Sequence, residues 1–145
     1  MSWGKEEPKG MRYFYRWDEE EKISVGPAYS TGQGPLIKGE KVQIALVHKP
    51  RGTGANPHTH PNEQFNIVMQ GTLRAMVEGQ EELVRKGGIV YIPANARHYT
   101  VATEEEDVVF IAVKDMSWGI AGIAEDKNAG AYYAPGVKAK GKQKK

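Results

Sequence analysis

An all-β domain, a sandwich or barrel of short strands, is what this sequence predicts, and three observations carry the prediction. Apolar residues alternate with other residues at period two in segment after segment, as in half-buried strands. Gly and Pro turn signals recur at intervals of about 8–12 residues. Helical periodicity is confined to a weak stretch around Ile120 to Asn128, where Gly122 and Gly130 count against it.

Taken in order, Met11 to Trp17, with the neighbouring rings of Tyr13, Phe14 and Tyr15, reads as an early strand. Val42, Ile44 and Leu46 form the apolar face of a second strand, and Leu73, Ala75 and Val77 that of another. Gln64 to Gln70, Ile89 to Ile92, His98 to Ala102 and Val108 to Lys114 are further strands. The punctuation between them is Pro50-Arg-Gly-Thr-Gly, Gly71, Glu78-Gly79, Gly87-Gly88 and Pro93-Ala-Asn95. Such spacing excludes alternating strand–helix units and favours antiparallel sheets closed on one core. The acidic runs Asp18 to Glu21 and Glu104 to Asp107 read as exposed turns.

At 145 residues the chain has the length of one domain that buries its own core. We place that domain at residues 1–137 and a basic, disordered tail at 138–145. Five lysines crowd into the tail, and without them the net charge of +2 becomes −3. The body therefore lacks the basic surface of a nucleic-acid binder, and the tail reads as a solvated end. The polar start and the lack of a membrane-length apolar run predict neither a leader nor a membrane span, hence a cytoplasmic protein. There is no cysteine, so disulfides and thiolate metal sites are excluded and any metal must rest on nitrogen and oxygen.

Four histidines, His48, His58, His60 and His98, are the residues with site chemistry. In Asn56-Pro-His-Thr-His-Pro, His58 and His60 stand at i, i+2, which on an extended strand turns both imidazoles to one face. Imidazole suits zinc, iron, nickel and copper, and an added amide or carboxylate oxygen suits manganese as well. Strand alternation does not decide between Glu63 and Gln64 as that oxygen, because the turn at Pro61-Asn62 breaks parity.

The spacing of these residues resembles the cupin family. Gly52, His58-x-His60, Gln64 and Gly71 follow its first motif, G-x5-H-x-H-x3-4-E-x6-G. Gly87, Pro93-x-Asn95 and His98 follow its second, G-x5-P-x-G-x2-H-x3-N. The resemblance covers roughly residues 41–113 and implies a double-stranded β-helix, or jelly-roll barrel, with little helix. It also implies one divalent ion (zinc, iron, nickel or manganese) on His58, His60, Gln64 and His98. Three positions depart from the family pattern. Gln64 replaces glutamate, Ala102 replaces the final asparagine, and Asn95 replaces a glycine in a turn whose left-handed conformation asparagine tolerates.

Gln64 is the informative departure. An amide donates an oxygen without charge, so a divalent ion on three imidazoles and Gln64 keeps its full +2, which favours an anionic substrate and Lewis-acid chemistry. The resemblance extends to cupins that open unsaturated uronate sugars and to zinc-dependent polyketide cyclases. The function expected is an isomerase, lyase or cyclase acting on a small anionic sugar acid or carbonyl compound. The alternatives are an iron or nickel dioxygenase cleaving a carbon–carbon bond and a non-catalytic ligand-binding cupin. His48 is a weak candidate for a fifth ligand or acid/base and Tyr91 for a phenol in the site. Arg74 lies opposite the apolar face of its strand and is set aside, as is Tyr99, which alternates away from His98. Trp118, Tyr132 and Tyr133 are expected over the barrel mouth or in a homodimer contact.

Overall fold

The computed structural model describes residues 12–137. Thirteen strands form: β1 (Lys22–Ser24), β2 (Gln33–Lys38), β3 (Val42–Lys49), β4 (Thr53–Gly54), β5 (His58–Thr59), β6 (Gln64–Gln70), β7 (Thr72–Val77), β8 (Gln80–Arg85), β9 (Ile89–Ile92), β10 (His98–Ala102), β11 (Val108–Asp115), β12 (Ile123–Ala124) and β13 (Tyr132–Tyr133). One sheet has the order β1-β2-β3-β11-β6-β9. The second runs β12-β5-β10-β4-β13, with β7 pairing both β10 and β8. Every pairing is antiparallel. Non-consecutive neighbours such as β3-β11-β6 bring distant segments side by side, which is how residues of the two histidine motifs come to share one interior. Among the described residues, no helix is long and apolar enough to cross a membrane.

Turn chemistry sets the hairpins. Glu78 (φ 51°) and Gly79 (φ 84°) are both left-handed and join β7 to β8, the requirement of a two-residue turn matched to strand twist. Asn95 (φ 65°) takes the left-handed conformation that its place in the second motif predicts.

A single apolar cluster joins the inward faces of both sheets, including Val47, Val68, Leu73, Ile92, Val108 and Phe110. Inward positions of the long strands change character along their length. In β6 they run Gln64, Asn66, Val68, and in β11 they run Val108, Phe110, Ala112, Lys114. Gln64 pairs with Lys114 and Val68 with Phe110, so one end of this strand pair faces inward with polar groups and the other with apolar ones.

Several expectations are corrected. The Val42, Ile44, Leu46 row is not the interior face of β3. Gln43, Ala45, Val47 and Lys49 are buried instead, while the predicted row lies half-exposed or exposed on the outer side. Alternation marks two faces without naming the inner one, and here the outer face of the sheet is also apolar. Over the described part of Met11 to Trp17 there is no strand; only the 3₁₀ turn Trp17–Glu19 begins there, and Met11 lies outside the described residues. No helix forms over 120–128, where β12 pairs with β5 instead. The tail at 138–145 lies outside the described residues.

Candidate metal centre

Two short segments deliver the three histidines, residues 58–60 and the start of β10. Cα pairing sets His98, the first residue of β10, opposite His58 of β5. The i, i+2 spacing performs as expected: His58 and His60 are both buried while Thr59 between them is half-buried. The backbone N–H of Asn95 donates to the His60 carbonyl at 2.8 Å, tying the left-handed turn of the second motif to the first. Ring centroids lie 4.2 Å apart for His58 and His98, 4.7 Å for His60 and His98, and 6.2 Å for His58 and His60.

Each imidazole is held by the same device. Nδ1 of His58, His60 and His98 lies 2.8–2.9 Å from the carbonyl oxygens of Asn56, Asn62 and Ala96 respectively. A carbonyl only accepts, so each Nδ1 carries the proton and each Nε2 is left with its lone pair. Burial pushes all three pKa values down. For His58 the charge of His98 adds to it, for His60 that of Lys114, and His98 is pushed down to about 3. The imidazoles are therefore neutral bases throughout the physiological range.

Gln64 faces the interior and Glu63 does not, a difference of facing that alternation leaves open. Glu63 is exposed and accepts a hydrogen bond from the Tyr91 hydroxyl at 2.6 Å. Gln64 is buried, and its Nε2 donates to Asn66 Oδ1 at 2.6 Å, which turns Oε1 away from that bond. Among the described residues, His60 Nε2 and Gln64 Oε1 are two of the buried side-chain acceptors with no hydrogen-bond partner; Gln43 Oε1, Asn62 Oδ1 and Thr103 Oγ1 are the others. Buried acceptors left unpaired carry a desolvation cost, and an imidazole nitrogen and an amide oxygen are both atoms that can ligate a cation. Among the described residues, no three His, Asp or Glu side chains already stand at metal-holding spacing. The Gln64 oxygen lies outside that count, and the His58 ring is drawn onto Tyr29, stacked at 3.7 Å and 19°.

Tyr29 is one of several residues that sequence reasoning missed. It is buried, and its hydroxyl oxygen accepts from the Gly122 N–H at 2.7 Å, pinning the 119–124 segment over His60. A Cβ on Gly122 would lie 2.6 Å from the Thr59 carbonyl oxygen and 3.2 Å from His60 Cδ2, so the approach demands glycine. Asn62 Nδ2 donates to the carbonyls of Asp115, Trp118 and Gly119, and Gln43 Nε2 to those of Asp115 and Trp118. These amides anchor the end of the barrel.

Also missed were two buried lysines. Lys49 Nζ donates to the carbonyl and hydroxyl oxygens of Thr100, both at 2.8 Å, and Lys114 Nζ donates to the Ile120 carbonyl. Both line the cavity that His58, His98, Gln64 and Asn66 also line. Strand parity anchored on Gln64 finds Lys114, because the two are paired across β6 and β11.

The remaining sequence candidates lie elsewhere. His48 sits on the outer face of β3, with Nε2 2.8 Å from Asp107 Oδ2, because it alternates away from Lys49. Tyr91 is exposed on β9 and alternates away from buried Ile92. Neither joins the cluster, so the geometry gives no support to His48 as a fifth ligand or acid/base or to Tyr91 as a phenol in the site. Arg74 pairs with Glu81 at 2.9 Å, away from the imidazoles, as expected. Ala102 belongs to the apolar core. Trp118 is 43% exposed, while Tyr132 and Tyr133 are half-buried in the strand that pairs with β4.

Comparison with known proteins agrees with this geometry. The Cupin_2 family description, a cupin domain, matches residues 45–114. No curated protein matches the sequence. Among solved structures, the chain is similar to KdgF from Halomonas sp., with TM-score 0.63 and 23% identity over 72% of this chain and 94% of that one. It is similar to Rru_A2000 from Rhodospirillum rubrum, a cupin-2 domain, with TM-score 0.65 and 15% identity over 80% and 82%. The polyketide cyclase RemF from Streptomyces resistomycificus gives TM-score 0.61 and 18% identity over 72% and 80%. At these identities the likeness establishes the fold, a jelly-roll barrel. The chain carries a cupin domain at residues 45–114, which spans both histidine motifs within the two antiparallel sheets of a jelly-roll barrel.

Proposed function

We propose that this cupin holds one divalent metal ion on His58, His60, His98 and the Gln64 oxygen, and acts as a Lewis-acid enzyme on a small anionic carbonyl compound. The observation that carries this reading is the pair of unpartnered buried acceptors, His60 Nε2 and Gln64 Oε1, among imidazoles whose Nδ1 protons are already committed. Zinc, iron, nickel and manganese all suit this nitrogen and oxygen set. When bound, the ion would polarise a substrate carbonyl or stabilise an enolate, the chemistry of isomerases, lyases and cyclases.

The chain's own residues supply the rest. The carbonyls of Asn56, Asn62 and Ala96 hold the imidazole tautomers, the outer support that ligating histidines use. Asn66 turns the Gln64 oxygen, and rotation of His58 off Tyr29 would complete the ligand geometry. No Asp or Glu lines the cavity, which leaves its charge positive and suits an anion. A polyketide cyclase among the similar structures is in keeping with a carbonyl-directed use of this fold.

Metal analysis of the natively expressed and reconstituted protein tests the reading. One ion per chain, lost in His60→Ala and largely retained in Gln64→Ala, is expected. Absence of metal from the reconstituted wild type would overturn it.

The same proposal includes a homodimer. Leu46, Ile67, Ile111 and exposed Phe65, Met69 and Ile89 give the outer face of the six-stranded sheet an apolar surface suited to a second copy. Light scattering on Ile111→Glu should show a shift to monomer relative to wild type, and a monomeric wild type refutes the dimer.

A further inference from the structure

We propose that the barrel interior carries a seat for the carboxylate of a small organic acid, formed by the ammonium groups of Lys49 and Lys114. This deepens the function proposed above and rests on it only in placing the substrate inside the barrel.

Both side chains are driven inward by strand parity, and they are 3% and 4% exposed. Lys49 enters opposite Val108 at the start of β11, and Lys114 enters from the end of that strand. An ammonium has three N–H donors. Among the described residues, Lys49 uses two acceptors, both on Thr100, and Lys114 uses one, so donors remain on both.

Charge is the stronger argument. Two lysines, two histidines, one glutamine and one asparagine supply the polar side-chain nitrogens of the cavity wall, and no carboxylate faces them. Buried cations without a counter-charge are costly, and proteins ordinarily pair them. An anion received between the lysines and the imidazole cluster satisfies the free N–H donors and balances the charge. A divalent ion on the imidazoles would add to the positive charge and increase the demand for that anion.

Cavity size selects the class of anion. The interior space is about 40 Å³. One water needs roughly 10–15 Å³ by this measure, so the space takes a group of a few heavy atoms and not a sugar ring. A short 2-oxo or related carboxylic acid has that size: its carboxylate meets the lysines and its carbonyl is left for the imidazole end.

Calorimetric titration of the metal-stripped full-length protein with pyruvate and acetate, and with uncharged acetamide as the matched control, tests this. At constant ionic strength pyruvate and acetate should bind at least about tenfold more tightly than acetamide, and Lys49→Met and Lys114→Met should each remove about tenfold or more of that affinity. His48→Ala, on the outer face of the barrel beside Asp107, should leave pyruvate binding within about threefold. The proposal is overturned by anions binding no better than acetamide, or by pyruvate affinity unchanged in both methionine variants. Comparing pyruvate with acetamide needs no variant, so it decides the matter even where a methionine variant fails to fold. Because the protein is stripped, failure here leaves the metal reading standing, and absence of metal from the wild type leaves this seat standing.

Discussion

Replacing Lys49 with methionine should make the metal-free protein more stable, although it removes two hydrogen bonds. Lys49 is fully enclosed, and burial is the main reason its pKa falls from 10.5 to about 7. In the unfolded chain the amine is protonated at pH 7, whereas in the fold it is about half protonated. At about 1.4 kcal/mol per pKa unit, that difference costs the folded state about 4 kcal/mol at neutral pH. Methionine keeps the length and apolar volume of the stem and removes this cost. Against it stands the loss of the two bonds to Thr100, about 1 kcal/mol each. The net expectation is a gain of about 2 kcal/mol.

The sign with pH follows from the same quantities. Because the folded pKa lies below the unfolded one, the unfolded chain binds more protons between about 7 and 10.5, and stability rises with pH across that window. Lys114, at about 8, adds to the rise above its own value. Urea unfolding from pH 7 to 9, in buffer free of small carboxylates, reads both effects. Wild-type stability should climb by about 3–4 kcal/mol, and Lys49→Met should start higher and climb by only about 1 kcal/mol. A less stable methionine variant, or two parallel pH curves, would show that Lys49 is not held at a desolvation cost.

Three further outcomes are expected. Asn95→Ala should cost about 1 kcal/mol in thermal unfolding while Asn95→Gly is neutral, because φ is 65° there; equal losses would deny a backbone cause. Gln64→Glu places a carboxylate inside the barrel opposite Lys114, so metal affinity should rise about tenfold and pyruvate affinity fall by a similar factor. Titration calorimetry with each ligand separates the two effects, and a fall in metal affinity would remove Gln64 from the ligand set. Gly122→Ala should destabilise by about 1–3 kcal/mol and change the near-UV signal of Tyr29, since the added Cβ meets the Thr59 carbonyl; an unchanged spectrum would release Gly122 from its role.

Much of the strand framework was legible in the sequence. Gln64 to Gln70, Ile89 to Ile92 and His98 to Ala102 form strands with the expected bounds. Period-two alternation and turn residues are local properties, and they report local structure directly. The histidine pair was legible for the same reason, since i, i+2 on an extended chain leaves its side chains no choice of face. The left-handed turn at Asn95 follows equally from residue chemistry.

What the sequence could not determine was which face of an apolar strand looks inward. In β3 the outward residues are the more hydrophobic ones, and the interior receives Gln43 and Lys49. A polar cavity inside the barrel and an apolar sheet outside invert the usual pattern, and only the packing of one sheet on the other reveals the inversion. The tertiary structure likewise decided that His48 and Tyr91 stand apart from the cluster and that Gln64 rather than Glu63 enters it. Tyr29, Gly122, Lys49 and Lys114 reach the site from strands and loops far apart along the chain. Local pattern carries information about a residue's neighbours in sequence. Barrel closure decides its neighbours in space, and the cavity that Lys49 and Lys114 share with His58 and His98 exists only as a consequence of that closure.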